Sequence, residues 1–224
     1  MSERYPKIQS LYKRDPKTHK LILGKYTTEE FEYLASNKWV FTEKVDGTNI
    51  RLVWSGTSVR ILGRTDRAQI PAGLMQRFTD DELHDLPRSS ANLAEALADI
   101  FGDYPAVLFG EGYGLKIQKG GSYRKDQGFI LFDVWADGHW FTRIQMQEVG
   151  DHLGFKLVPV VLTGTLHDME RLCRDGFEST VAENTKCQAE GLVGVPAVPV
   201  LDGFGNRIIV KLKHKDMIKA QTTA

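Results

Sequence analysis

The sequence is poor in the features that mark secreted, membrane-spanning or metal-caged proteins. Cysteine occurs twice in 224 residues, at Cys173 and Cys187, with no Cys-x-x-Cys spacing and no His-x-His pair nearby. Two thiols in a chain without an export signal are expected to stay reduced and structural, with no metal or redox role. The segment Met1 to Ser10 is polar and charged and lacks the apolar stretch of a signal peptide. The most apolar run, Leu192 to Leu201, contains Pro196 and Pro199 and is far too short to span a bilayer. Net charge is missing as well. The 29 Lys and Arg balance 29 Asp and Glu, so no polyanionic partner is implied by the sum, although a local basic face would suffice for one. Repeats, low-complexity tracts and Pro/Ser-rich linkers are absent, and the six histidines are scattered without ligand spacing. What is left is an enzyme-sized chain, expected to be cytoplasmic and free of membranes. Its 42% hydrophobic content allows a substantial core, and the expectation is one domain over residues 1–224.

Residues 1–26 read as an irregular basic segment. Thr27-Thr28-Glu29-Glu30 then has the form of a capping box, opening a short helix through Phe31 and Leu34 toward Ser36. Trp39 to Glu43, Asn49 to Trp54 and Ser58 to Gly63 read as strands, the last two joined at Ser55-Gly56. Further strands are expected over Ala106–Gly110, Phe129–Trp135, Leu157–Leu162, Gly191–Val195 and Arg207–Leu212. Helical spacing covers Ser89–Phe101, Thr142–Leu153 and Thr165–Arg174, the last two opening on a Thr cap. His214 and the charged tail after it read as a solvated end. Strands outnumber helices and follow one another closely, so the fold class is α+β: an antiparallel-sheet-rich core with outer helices.

Four polar clusters interrupt the apolar strands: Glu43 to Asn49, Gly110-Glu111-Gly112, Glu190 to Val193, and Lys211-Leu212-Lys213. Charges set among apolar neighbours are costly unless paired or used, so these are either separate sheet-edge ion pairs or parts of one site. Chemically they suit one site. A lysine amine is almost fully protonated at neutral pH, and nearby cations or a metal would favour its nucleophilic form. Lys211 and Lys213, two apart on a strand, point to one face and suit a polyphosphate. Glu111 and Glu190 suit sugar hydroxyls or the waters of a hard cation. Together these residues point to phosphoryl or nucleotidyl transfer to Lys44.

Lys44-Val45-Asp46-Gly47-Thr48-Asn49 also resembles motif I, KxDGxN, of the covalent nucleotidyltransferases, the superfamily of ligases and mRNA capping enzymes. Phe109 to Gly114 resembles motif III, Phe129 to Val134 motif IIIa, Glu190 to Val193 motif IV, and Val210 to Lys213 motif V. Gly63-Arg64-Thr65 lies where RNA ligases carry a functional arginine. Six elements in order are far more specific than KxDG alone. Asn49, where DNA ligases and capping enzymes have Arg, and the GEGYG and FDVW forms are closest to the nick-sealing (type 2) RNA ligases. Alternatives are a minimal DNA ligase, with Asn49 as the discriminating residue, and a non-catalytic nucleotide- or RNA-binding module.

The resemblance implies an ATP-grasp-like ligase adenylation domain and an ATP-dependent RNA ligase. It implies that Lys44 takes AMP from ATP, passes it to an RNA 5′-phosphate, and that an RNA 3′-OH then displaces it. By matching position it implies ATP-binding roles for Glu43, Asn49, Arg64, Glu111, Phe132, Glu190, Val193, Lys211 and Lys213. Phe132 would stack on adenine opposite Val193, and Glu111 would hold the ribose. Glu190 and Asp46 would hold Mg²⁺ or Mn²⁺ through waters. Lys116, Lys119, Arg124 and Lys125, interleaved with Tyr113 and Tyr123, are either an RNA-facing patch or a solvated loop. Ligases of this superfamily usually add a further domain after motif V, and only eleven residues follow Lys213 here. The expectation is therefore no OB-fold or other C-terminal domain, leaving room for a partner protein. A compact ligase of this kind would suit a phage, and would then work in the host cytoplasm.

Overall fold

The computed structural model describes residues 3–79, 92–118, 123–184 and 186–221. Their elements, in chain order, begin with β1 (Gln9–Ser10), β2 (Tyr12–Arg14), β3 (Leu21–Tyr26), α1 (Glu29–Tyr33) and β4 (Trp39–Lys44). Next come β5 (Thr48–Trp54), β6 (Val59–Gly63), α2 (Ala72–Thr79), α3 (Leu93–Phe101), β7 (Ala106–Gly114), β8 (Gln127–Ala136), β9 (His139–Trp140) and α4 (Arg143–Leu153). The chain closes with β10 (Val160–Gly164), α5 (Leu166–Asp175), β11 (Gly191–Pro196), β12 (Val210–Lys213) and α6 (His214–Gln221). They form two compact units. Unit one is Met1–Pro6 with Asp46–Val158, and unit two is Lys7–Val45 with Pro159–Ala224.

Unit one is built on an antiparallel sheet in the order β6-β5-β7-β8-β9. Strand alternation sends Ile50, Leu52 and Trp54 to one face, where they meet Leu97 of α3, Leu153 of α4 and Leu74 of α2. The other face is apolar too: Val53, Val107 and Phe109 pack with Tyr5, Phe132 and Trp140. Both faces are covered, and so Ile50 to Trp54 reads as an almost unbroken apolar run. Arg51 is the exception within it.

Unit two has a second sheet, β1-β12-β11-β4-β10, antiparallel except for the parallel β1–β12 edge. Trp39 and Phe41 of β4, Leu192 of β11 and Leu212 of β12 point into a core closed by Met169 and Cys173 of α5 and Met217 of α6. Burial pushes the Cys173 thiol up to about 12, which keeps it unreactive. Cys187 is also free and buried.

The mixed, antiparallel-sheet-rich architecture matches the sequence expectation. Thr142 and Thr165 cap α4 and α5 through capping boxes with Gln145 and Asp168. Five local expectations need correction. The box expected at Thr27–Glu30 does not form, because Thr28 is the cap and its hydroxyl accepts the Phe31 amide at 3.3 Å. The described part of residues 1–26 is not irregular: it carries β1 and a β2–β3 hairpin. The tail after Lys213 is α6, with Met217 fully buried and Asp216 paired to Arg14 at 2.5 Å. The strand expected from Leu157 starts at Val160, while Leu157 makes only an isolated bridge to Leu131. The strand expected from Arg207 likewise starts at Val210. Helix α3 starts after its Asn92 cap, and residues 89–91 lie outside the described residues. Among the described residues, no helix is long and apolar enough to cross a membrane.

Candidate active site

In unit two, the central three strands set Lys44, Val193, Lys211 and Lys213 on one face, and Glu190, just before β11, pairs with two of them. Along β4 burial alternates residue by residue, so Thr42 and Lys44 leave the core on the side opposite Trp39, Phe41 and Glu43. Val193 of β11 is paired with Thr42 on one side and Lys211 of β12 on the other. Gly191 is paired in the same way with Lys44 and Lys213. Gly191 sits at φ +154°, and a Cβ there would strike the Leu212 carbonyl, so only glycine lets the three strands approach this closely. The result is a bridged ion triplet. Lys44 Nζ lies 2.5 Å from Glu190 Oε2, and Lys213 Nζ lies 2.5 Å from Glu190 Oε1. Glu190 is only 7% exposed, against 21% for Lys44 and 25% for Lys213. Burial raises its carboxyl pKa, but the Lys44 charge and hydrogen bonds from both lysines hold it below the ordinary value.

Glu43 is not part of that face. Its carboxylate is buried on the core side, where it accepts hydrogen bonds from the Ser179 hydroxyl, the Thr180 amide at 2.9 Å and the Thr180 hydroxyl at 3.0 Å. It ties the Ser179–Thr180 turn to the strand that ends in Lys44.

In unit one, Asn49 and Glu111 are direct partners across β5 and β7. Gly47 begins this stretch, and a Cβ there would collide with the Gly112 carbonyl. This explains physically why a glycine closely follows Lys44. The β7–β8 register shifts between Phe109 and Gly110, whose partners are Asp133 and Leu131, so Phe132 is left unpaired as a bulge. The bulge puts Phe132 on the second apolar face, 5.1 Å from the Tyr5 ring, while the Tyr5 hydroxyl donates to Asp133 at 2.7 Å. Arg64 follows β6 in an exposed turn. Asp46 is half-buried at the start of the unit.

The loop cations are divided. Lys116 and Lys125 are exposed, whereas Arg124 lies over the Tyr113 ring at 5.6 Å and pairs with Asp126, which also pairs with Arg77. Tyr113 and Tyr123 are buried, so neither presents a ring for stacking. Lys119 lies outside the described residues. Sequence reasoning missed Arg51, Tyr5 and Asp66, which together secure the Arg64 turn and the Phe132 bulge. The legible signal was an arginine flanked by apolar residues on both sides in Ile50-Arg51-Leu52-Val53-Trp54, a pattern that requires burial.

A family model described as RNA ligase matches residues 37–213, a span that includes every one of these strands from β4 to β12. The chain belongs to the RNA ligase family. Its fold is that of RNA ligase structures from Naegleria gruberi. One of these, with PPi, is 19% identical at a TM-score of 0.60 over 98% of this chain and 64% of that one. A mutant with AMP and Mn is 20% identical at a TM-score of 0.59, covering 86% of this chain and 54% of that one. A further mutant with ATP and Mn is 20% identical at 0.58, again over 86% and 54%. The chain thus spans between half and two thirds of the length of these relatives.

Proposed function

We propose that this chain is an ATP-dependent RNA ligase that joins an RNA 3′-OH to a 5′-phosphate through a lysyl-AMP intermediate on Lys44. The observation that carries the reading is the half-buried Lys44–Glu190–Lys213 triplet within a chain of the RNA ligase family. In the first step, Lys44 Nζ gives up a proton and forms a bond to the α-phosphorus of ATP, while the bond to the β-phosphate oxygen breaks and pyrophosphate leaves. In the second, an oxygen of the RNA 5′-phosphate attacks the same phosphorus and the Lys44–phosphorus bond breaks. In the third, the 3′-OH attacks the 5′-phosphorus, loses its proton and expels AMP.

The residues suit these steps. Lys211 and Lys213, on one face of β12, would neutralise charge developing on the phosphate. Asn49 and Arg64 would meet phosphate, Glu111 the ribose, and Phe132 and Val193 the base. Among the described residues there is no cluster of three or more potential metal ligands. Single carboxylates fit a hydrated Mg²⁺ or Mn²⁺, which keeps several waters and shares substrate phosphates. Glu190 and Asp46 would hold such an ion, and when bound it would neutralise phosphate charge. The exposed Lys116 and Lys125 would follow the RNA backbone.

The test is incubation with α-labelled ATP, GTP or NAD and Mg²⁺, for wild type and Lys44→Ala. Label is expected on wild type from ATP only and none on the variant. A nicked-RNA against nicked-DNA competition then assigns the substrate, with RNA expected to be sealed first. A folded wild-type protein that takes no label from any nucleotide defeats the reading.

A further inference from the structure

Arg51 is fully buried in the middle of β5 and, among the described residues of unit one, is the largest buried polar side chain. A guanidinium has five donors, and without partners its burial would be prohibitive. Its partners lie at one place. Nε donates to the Gly63 carbonyl at 2.8 Å, and one terminal nitrogen donates to Asp66 Oδ1 at 2.8 Å. The other terminal nitrogen donates to the Glu3 carbonyl at 3.1 Å. Gly63 and Asp66 are the two residues that bracket Arg64-Thr65, so one guanidinium clamps both ends of the turn that carries Arg64. Asp66 also accepts Arg4 at 3.2 Å. Hydrogen bonds from Arg51 and then Arg4 hold its carboxyl below the usual range. Arg64 itself is exposed and makes no hydrogen bond or ion pair with any described residue.

Stability is a poor reason for this arrangement. The one charged partner, Asp66, is 58% exposed, so the ion pair itself contributes little to stability, and Val53 and Phe109 already line the face on which Arg51 lies. A methionine at position 51 would therefore be tolerated by the packing. What it could not supply is the fork that reaches the Gly63 carbonyl and the Asp66 carboxylate at once. A lysine could not supply it either, having a single nitrogen.

We infer that Arg51 is a positioning residue for Arg64: by bridging Gly63 and Asp66 it fixes the backbone of the turn, so that Arg64 meets phosphate in one orientation. This rests on the ligase reading above, in which Arg64 serves a phosphate.

The experiment compares wild type, Arg51→Met, Arg64→Ala and the double variant in two separate assays with a thermal melt alongside. One assay follows label uptake onto Lys44 from ATP. The other follows sealing of a nick whose 5′ end is already adenylated. Arg64→Ala is expected to slow the step that it serves by about 100-fold, the scale of a misplaced phosphate contact. Arg51→Met should slow the same step by about 10-fold and leave the other within about twofold, and Arg51→Lys should not rescue it. The double variant should be no slower than Arg64→Ala, because Arg51 acts only through Arg64. Multiplying effects in the double variant, or equal slowing of both steps by Arg51→Met, would overturn the inference. Should Arg51→Met fail to fold, Asp66→Ala removes one arm of the clamp from an exposed site and must show the same step selectivity and the same non-additivity. If Arg64→Ala matches wild type in both assays, the positioning role falls while the Lys44 labelling result stands on its own.

Discussion

Glu190 holds two ammonium groups on one carboxylate, and its effect on stability has a definite pH dependence. Its carboxyl pKa is lower in the folded chain than in the unfolded one. The contribution is therefore complete above the unfolded value of about 4.3 and fades as acid carries the pH down through the lower folded value. Glu190→Gln should lower stability at neutral pH by about 1–2 kcal/mol, less than a fully buried pair because both lysines reach water. Urea midpoints should show the gap between wild type and variant narrowing below about pH 4.3; a gap constant to pH 2 would contradict the ion-pair account. Glu43 behaves differently. It is buried with hydroxyl and amide donors and, among the described residues, no cation partner, so Glu43→Ala strands the Ser179 and Thr180 donors and should cost about 2–3 kcal/mol by the same measurement. From the sequence, Glu43 and Glu190 look alike, each a carboxylate beside an apolar strand. Which face of β4 each serves becomes visible only once the register with β11 and β12 is known.

Among the elements, legibility followed how much of the stabilisation is written into the local pattern. Strands β4, β5, β7, β8 and β11 carry apolar runs because they are central, and α4 and α5 carry their own capping boxes. Thr142→Ala should accordingly lower the melting temperature by an amount equivalent to about 1 kcal/mol, chiefly by loosening the start of α4. Helix α6 has no such signature. His-Lys-Asp-Met-Ile-Lys-Ala-Gln is polar over most of its length, and a helix of this size gains its stability from docking rather than propensity. It is anchored by Met217, so Met217→Ala should destabilise the fold by about 2–4 kcal/mol, where a solvated tail would show no change in a melt. The β2–β3 hairpin was equally unreadable, since only Tyr12 and Leu21 among its strand residues are buried. The Phe132 bulge shows the same limit: the motif could be recognised, but a register shift is a property of two strands and leaves no mark on one.

At the scale of the whole chain, two cores are built from interleaved segments: one around Leu52, Leu108 and Leu153, the other around Phe41, Leu192 and Leu212. Leu192→Ala should raise amide exchange first in β4, β10, β11 and β12, and Leu108→Ala in β5, β7 and β8. Hydrogen-exchange mass spectrometry that found both variants loosening the same strands would contradict separate cores.

The triplet around Lys44 also orders events during synthesis. Lys44 and Glu190 are 146 residues apart, and Lys213 is translated later still. While the nascent chain is shorter than this, β4 lacks its β11 neighbour and the lysine lacks its carboxylate. A product terminated early would then carry Lys44 without the ion triplet around it. The sheet that holds the triplet therefore closes only after β12 has been made, so the interleaving acts as a completeness check on each newly made molecule.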